Sequence, residues 1–136
     1  MLVLHITEMG SYSVPVAVRT TGVYDVKKLW YLTRDDPIMY IPLKFLDSNL
    51  DDVFWENSDG KIISPRMVLR NGSLSLDDSM RILQANLEYP ILVYQFDRGV
   101  YDVIDGLHRL SKAFQWRHSH IKARVISDAQ LEESKM

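Results

Sequence analysis

The stretch Asp105-Gly106-Leu107-His108-Arg109-Leu110 decides the fold of this chain, because an apolar run, Val100-Tyr-Asp-Val-Ile104, gives way there to helical spacing. A strand that ends in Asp-Gly and opens directly into a helix leaves several backbone N–H groups unpaired at the helix start. Such an end is a ready anion site. His108 and Arg109 in that first turn oppose the dipole's preference for acidic side chains, so the sequence spends helix stability on positive charge. Bound phosphate would offset that cost.

The surrounding charge points the same way. From Gly106 to Ser127 the chain carries five Lys or Arg (Arg109, Lys112, Arg117, Lys122, Arg124), three of its four histidines, and no Asp or Glu. The whole chain has 16 basic and 18 acidic residues, so the remainder is strongly acidic. A basic patch on an otherwise acidic protein reads as a local anion site or as a solvated helix face, and composition alone does not separate the two. A duplex-wide electrostatic footprint is disfavoured.

Composition sets further bounds. At 136 residues and 46% hydrophobic, with three Trp, seven Tyr and four Phe, the chain reads as one globular domain, 1–136, around a single core. Without cysteine there is no disulfide framework, thiolate metal site or cysteine nucleophile. The start, Met1-Leu-Val-Leu-His-Ile6, is too short for a signal h-region and soon meets Glu8; no apolar run approaches membrane-spanning length. The expectation is a soluble, cytoplasmic protein.

Along the chain, Val14-Pro15-Val16-Ala17-Val18 reads as an edge strand or extended arm, since proline cannot donate to a central ladder. Asp25 is placed to cap a short helix over Val26 to Leu32. Ile38 to Leu46 reads as a strand whose end is marked by Pro42, and Asp47-Ser48-Asn49 as a helix start leading to Leu50, Val53, Phe54 and Trp55. Asn57-Ser-Asp-Gly60 is turn chemistry, and residues 61–74 give no clear pattern. Ser75-Leu-Asp-Asp78 resembles a capping box opening a helix whose apolar face is Leu76, Met80, Leu83 and Leu87. After Pro90 come a strand from Ile91 to Phe96, an Asp97-Arg98-Gly99 hairpin turn, the strand to Ile104, a helix burying Leu107, Leu110 and Phe114, and a strand from Ile121 to Ile126. Residues 128–136 read as a polar, partly disordered tail.

This order of helix, Pro-Ile strand, hairpin, strand, Asp-Gly-x-His-Arg, helix and strand resembles the ParB/sulfiredoxin-like superfamily. The match runs from about Ser75 to Ser127, and more loosely over Tyr40-Ile-Pro-Leu-Lys-Phe-Leu-Asp47. The resemblance implies an α+β single-domain fold, a small mixed sheet with helices packed around it. In that superfamily a Gly-x-His-Arg or Gly-Glu-Arg-Arg turn holds nucleotide phosphates. Carried over by motif, Gly106, Leu107, His108 and Arg109 would contact them, with Lys112 a turn further along, Asp105 shaping the turn as in the free-serine kinases of this fold, and Ser79 near a position where relatives place a hydroxyl.

The departures narrow what is implied. Leu107 stands where sulfiredoxins have their reactive Cys, so their reaction is unavailable. Chromosome-partitioning members of that superfamily carry Gly-Glu-Arg-Arg and a following helix-turn-helix domain; here the turn reads Gly-Leu-His-Arg and about ten residues follow the last strand, so full centromere binding is not expected. The free-serine kinases depend on a Glu after the entry strand; Asp47 is the nearest acid, one methylene shorter. The implied function is nucleotide binding, of ATP/ADP or CTP with Mg²⁺, for phosphoryl transfer or hydrolysis, with Asp47, Asp105 and His108 as candidate catalytic groups. The alternative is a ParB-like module that meets DNA or a protein partner, as nuclease or without chemistry, whether monomer or homodimer.

Each singled-out residue also has a structural reading. Arg109 would serve as well in a pair with Asp105 or Asp102, and His108 as a ring satisfied by backbone carbonyls. Asp105 reads as a turn or N-cap residue whose carboxylate is taken by backbone N–H groups, or as an outer-oxygen Mg²⁺ ligand. His118-x-His120 with His108 makes a weak metal triad, disfavoured for want of an acidic ligand nearby. Trp30, Trp55 and Trp116 read as core first and as base-stacking platforms second, Trp116 being the best placed of them. Ser64-Pro65 before Arg66 suits a phosphate contact or a rigid strand entrance equally.

Overall fold

The computed structural model describes residues 4–9, 12–19 and 22–136; the opening residues 1–3, read above for a leader, lie outside them. An antiparallel meander comes first: β1 (Leu4–Met9), β2 (Tyr12–Arg19) and β3 (Gly22–Asp25), with β2 in the middle. The expected edge strand is therefore central. Pro15 is tolerated because the β1 pairing shifts register between Ile6 and Glu8, and because β3 reaches only as far as Val16, opposite Asp25.

Asp25 caps α1 (Val26–Thr33) by accepting from the Lys28 N–H, as its side-chain chemistry predicts. The entry strand ends at Pro42, as the proline marks it. β4 (Met39–Pro42) gives way at once to 3-10 turns over Leu43–Phe45 and Asp47–Asp51, and Trp55 lies in the small β5 (Trp55–Glu56) paired with β6 (Ile62–Ile63), not in a helix. Ser64-Pro65 opens a helix and not a strand. Ser64 accepts from Met67 N–H as the N-cap of α2 (Pro65–Arg70), with Pro65 at the first turn where its missing N–H costs nothing.

α3 (Leu76–Gln84) begins at the Ser75 cap as read. A mixed four-stranded sheet follows, built from β4, β7 (Ile91–Asp97), β8 (Val100–Asp105) and β9 (His120–Ile126) in the order β4-β9-β7-β8. β7 and β9 run parallel, and α4 (Leu107–Gln115) makes the connection between β8 and β9. Leu107, Leu110 and Ala113 of α4 join Ile91, Val93, Val103, Ile104, Ile121 and Ala123 of the sheet in the core. The expected disordered tail is instead α5 (Asp128–Glu133), capped by Ser127, with Leu131 and Ser134 buried and Met136 N–H donating to Val23 O. One apolar anchor, a buried serine and a capping box hold a segment that composition alone reads as loose.

β8 is an edge strand, and its outer side is covered. Asn49 donates from Nδ2 to Tyr101 O at 2.9 Å and accepts at Oδ1 from Val103 N–H at 3.0 Å, so one buried amide stands in for a peptide of a missing fifth strand.

Candidate functional site

The strand-to-helix turn is built on Gly106, which takes φ 113 at the start of α4. A Cβ there would lie 2.4 Å from Ile91 Cγ2, so glycine is required by backbone conformation and by close approach to β7 alike. No side chain caps α4, and its first N–H groups are left to whatever occupies the turn.

His108 leaves this turn toward α3. Its ring stacks on buried Trp55, centroids 4.5 Å apart and planes 8° off parallel, and Nε2 lies 2.9 Å from Asp78 Oδ1. A carboxylate only accepts, so Nε2 carries a proton toward it, and whenever the ring is neutral the lone pair is on Nδ1. Asp78 is buried, its Oδ2 accepting from Ser75 Oγ at 2.7 Å. Ser75 accepts in turn from Asp78 N–H. The carboxylate also suits the first turn of α3, where the helix dipole favours it. Sequence reading saw Ser75 and Asp78 as a cap and missed that the acid reaches 30 residues on to His108.

Arg109 turns the other way. Its Nη1 donates to Pro90 O at 2.7 Å and Tyr89 O at 3.2 Å, and Nη2 to Asp105 Oδ2 at 3.1 Å. Asp105 Oδ2 also accepts from Trp30 Nε1 at 2.8 Å. The structural pairing weighed for Arg109 is thus present, and Asp105 holds an indole and a guanidinium rather than backbone N–H groups. The two lock α1, β8, α4 and the 89–90 bend to one another.

Three other expected contacts lie elsewhere. Lys112 donates to Leu83 O and Ala85 O at the end of α3, with Nζ 4.5 Å from the centre of the exposed Trp116 ring. It is a C-terminal cap for α3. Ser79 donates to Gly72 O at 2.8 Å. Asp47 pairs with Arg66 at 3.0 Å; Arg66 also binds Asp51 at 2.6 Å, and these bonds, Asp51's foremost, raise the guanidinium pKa above its ordinary value. Asp47 is thus committed to α2 and not to the turn.

Two cavities meet at Arg109 and Tyr89. One, of about 300 Å³, is lined by Trp30, Thr33, Tyr89, Asp105, Arg109 and Arg124. The other, of about 320 Å³, is lined by Arg81, Gln84, Asn86, Tyr89, His108 and Arg109. Trp30 is thus the half-exposed indole beside the turn, whereas Trp55 is buried and Trp116 stacks on His118. His118 and His120 line a third cavity, with Tyr40, Glu88 and Lys122, and His108 does not join them. Among the described residues no group of three metal-ligating side chains forms. Of the described residues, Asp105 is the one acid on the wall of the first cavity, and no acid lines the second.

Among the described residues no helix is long and apolar enough to cross a membrane. Comparison with protein-family models, curated proteins and solved structures finds no match for the chain.

Proposed function

We propose that the protein binds a nucleotide across the two joined cavities, in the manner of the ParB/sulfiredoxin-like proteins it resembles, and uses it for phosphoryl transfer or hydrolysis. The observation that supports this reading is the junction itself: an uncapped, glycine-opened helix start beside two cavities that share Tyr89 and Arg109, the first adding the Trp30 indole and the second Arg81 and His108. Phosphates suit the side of Arg81, His108 and the α4 N–H groups, where charge and donors converge. The base and sugar suit the side of Trp30 and Tyr89, where a π-face is half exposed. Arg109 serves this reading as the strut between the two, its guanidinium occupied on the protein side by two carbonyls and Asp105.

Calorimetric titration with ATP, ADP, CTP and GTP, with and without Mg²⁺, tests it. Arg81 is the informative substitution, because its one ion pair, with Asp77 on the same helix, is exposed and contributes little to the fold. Arg81→Ala is expected to cost about 1.5–3 kcal/mol of nucleotide affinity with an unchanged melting temperature, the range for a hydrogen bond to a charged group. Wild type that binds none of the four removes the reading.

A second reading has one observation in its favour. Leu76, Met80 and Leu83 lie exposed beside the cationic cavity, a face that a ParB-like interaction module without chemistry would turn to a partner. In that case nucleotide binds and no phosphate is released.

A further inference from the structure

Asp78 and His108 are arranged for more than packing. α3 leaves three large apolar side chains in solvent while burying an acid, and a helix that breaks its own pattern in this way marks a position held for function. The buried acid meets an imidazole clamped on its flat side by Trp55 and on one nitrogen by a hydrogen bond. The ring cannot tilt without losing the stack or flip without losing the hydrogen bond. Nδ1 is the one nitrogen left uncommitted, and the ring lines the cavity shared with Arg81 and Arg109.

We infer that His108 is a general base for hydrolysis of a nucleoside triphosphate in that cavity, with Asp78 as its positioning residue; the inference rests on the nucleotide reading above. Nδ1 removes a proton from water as the water oxygen bonds to the terminal phosphorus. The bond from that phosphorus to its bridging oxygen breaks, and the electron pair departs with the nucleoside diphosphate. The imidazolium forms beside the Asp78 carboxylate, which fixes the tautomer beforehand and stands against the new charge afterwards. The proton then passes to solvent, leaving diphosphate, phosphate and the starting ring. Arg81, whose partner Asp77 is exposed, is free to swing toward the phosphate oxygens.

The test measures two quantities side by side on the full chain: phosphate release from Mg-ATP, Mg-CTP and Mg-GTP, and calorimetric binding of a β,γ-methylene analogue of each. His108→Gln is expected to lose turnover by about 100-fold or more, the lower range for a positioned proton-transfer group, while analogue affinity falls far less. In His108→Gly, added imidazole should restore turnover by filling the space against Trp55, and the restoration should vanish when Asp78→Asn is combined with it. Ring nitrogen shifts in ¹⁵N NMR should show Nε2 protonated in wild type and that preference lost in Asp78→Asn. Wild type that binds the analogue and releases no phosphate overturns this inference and leaves nucleotide binding standing; wild type that binds nothing overturns both. Turnover by His108→Gln at the wild-type rate, or imidazole rescue indifferent to Asp78, overturns the assigned roles.

Discussion

The two nine-residue helices that flank the site, α3 and α4, both space apolar residues at helical intervals and turn them in opposite directions. α4 turns Leu107, Leu110 and Ala113 into the core, with Leu110 wholly buried. α3 turns Leu76, Met80 and Leu83 outward, with Leu83 60% exposed, and buries Asp78 and Ile82 instead. Period 3.6 marks a helix and the width of its apolar stripe, but it does not say which neighbour the stripe meets. For α4 the sheet supplies that neighbour. For α3 the interior offers a histidine, and a carboxylate with its own serine donor outcompetes a leucine for that place.

The sharpest way to break this contrast is at the entrance to α4. Gly106→Ala should destabilise the fold by about 3 kcal/mol or more, adding the cost of a left-handed non-glycine residue to that of overpacking Ile91. Chemical denaturation gives the number, and a loss below about 1 kcal/mol would mean that the turn relaxes and that the close approach to β7 is not required. The helix faces themselves are compared by a matched pair. Leu110→Ala should cost about 2–5 kcal/mol as a buried large-to-small change, and Leu83→Ala no more than about 0.5 kcal/mol as a surface one. Similar losses at both positions would place Leu83 against something the isolated chain does not contain. Between these limits, Asp78→Ala should cost about 1–3 kcal/mol, because it leaves the His108 Nε2–H and the Ser75 hydroxyl without their partner in a buried place. No loss at that position would equate the polar face of α3 with any solvated helix surface.

Much of the sheet region was legible. The Pro-Ile strand, the Asp97-Arg98-Gly99 hairpin, the Gly106 turn, α4 and the last strand all fall where short-range signals put them, because each is punctuated by a residue whose backbone chemistry permits little else. The segment from Asp47 to Leu74 was not. Its 3-10 turns, two-residue strands and six-residue α2 are too short for a period to register, and they are held by distant partners such as Tyr101 and Val103 for Asn49. At the site, the sequence located the turn but not the division of labour within it. His108 and Arg109 are neighbours in the chain that take different partners, one Asp78 on α3 and the other the bend at Tyr89 and Pro90. Asp47 misled because its partner, Arg66, belongs to a helix that no pattern announced.

The amide of Asn49 has a bearing on how molecules of this protein behave in one another's company. A hydrogen-bonding strand edge is a template on which a second chain can assemble, and β8 would offer one at Tyr101 and Val103. By occupying that donor and acceptor with a single side chain, the fold denies the template to newcomers without building another strand. Self-association through the rim of the sheet is thereby disfavoured on the β8 side, in crowded as in dilute solution, for as long as the Asp47–Asp51 turn stays seated.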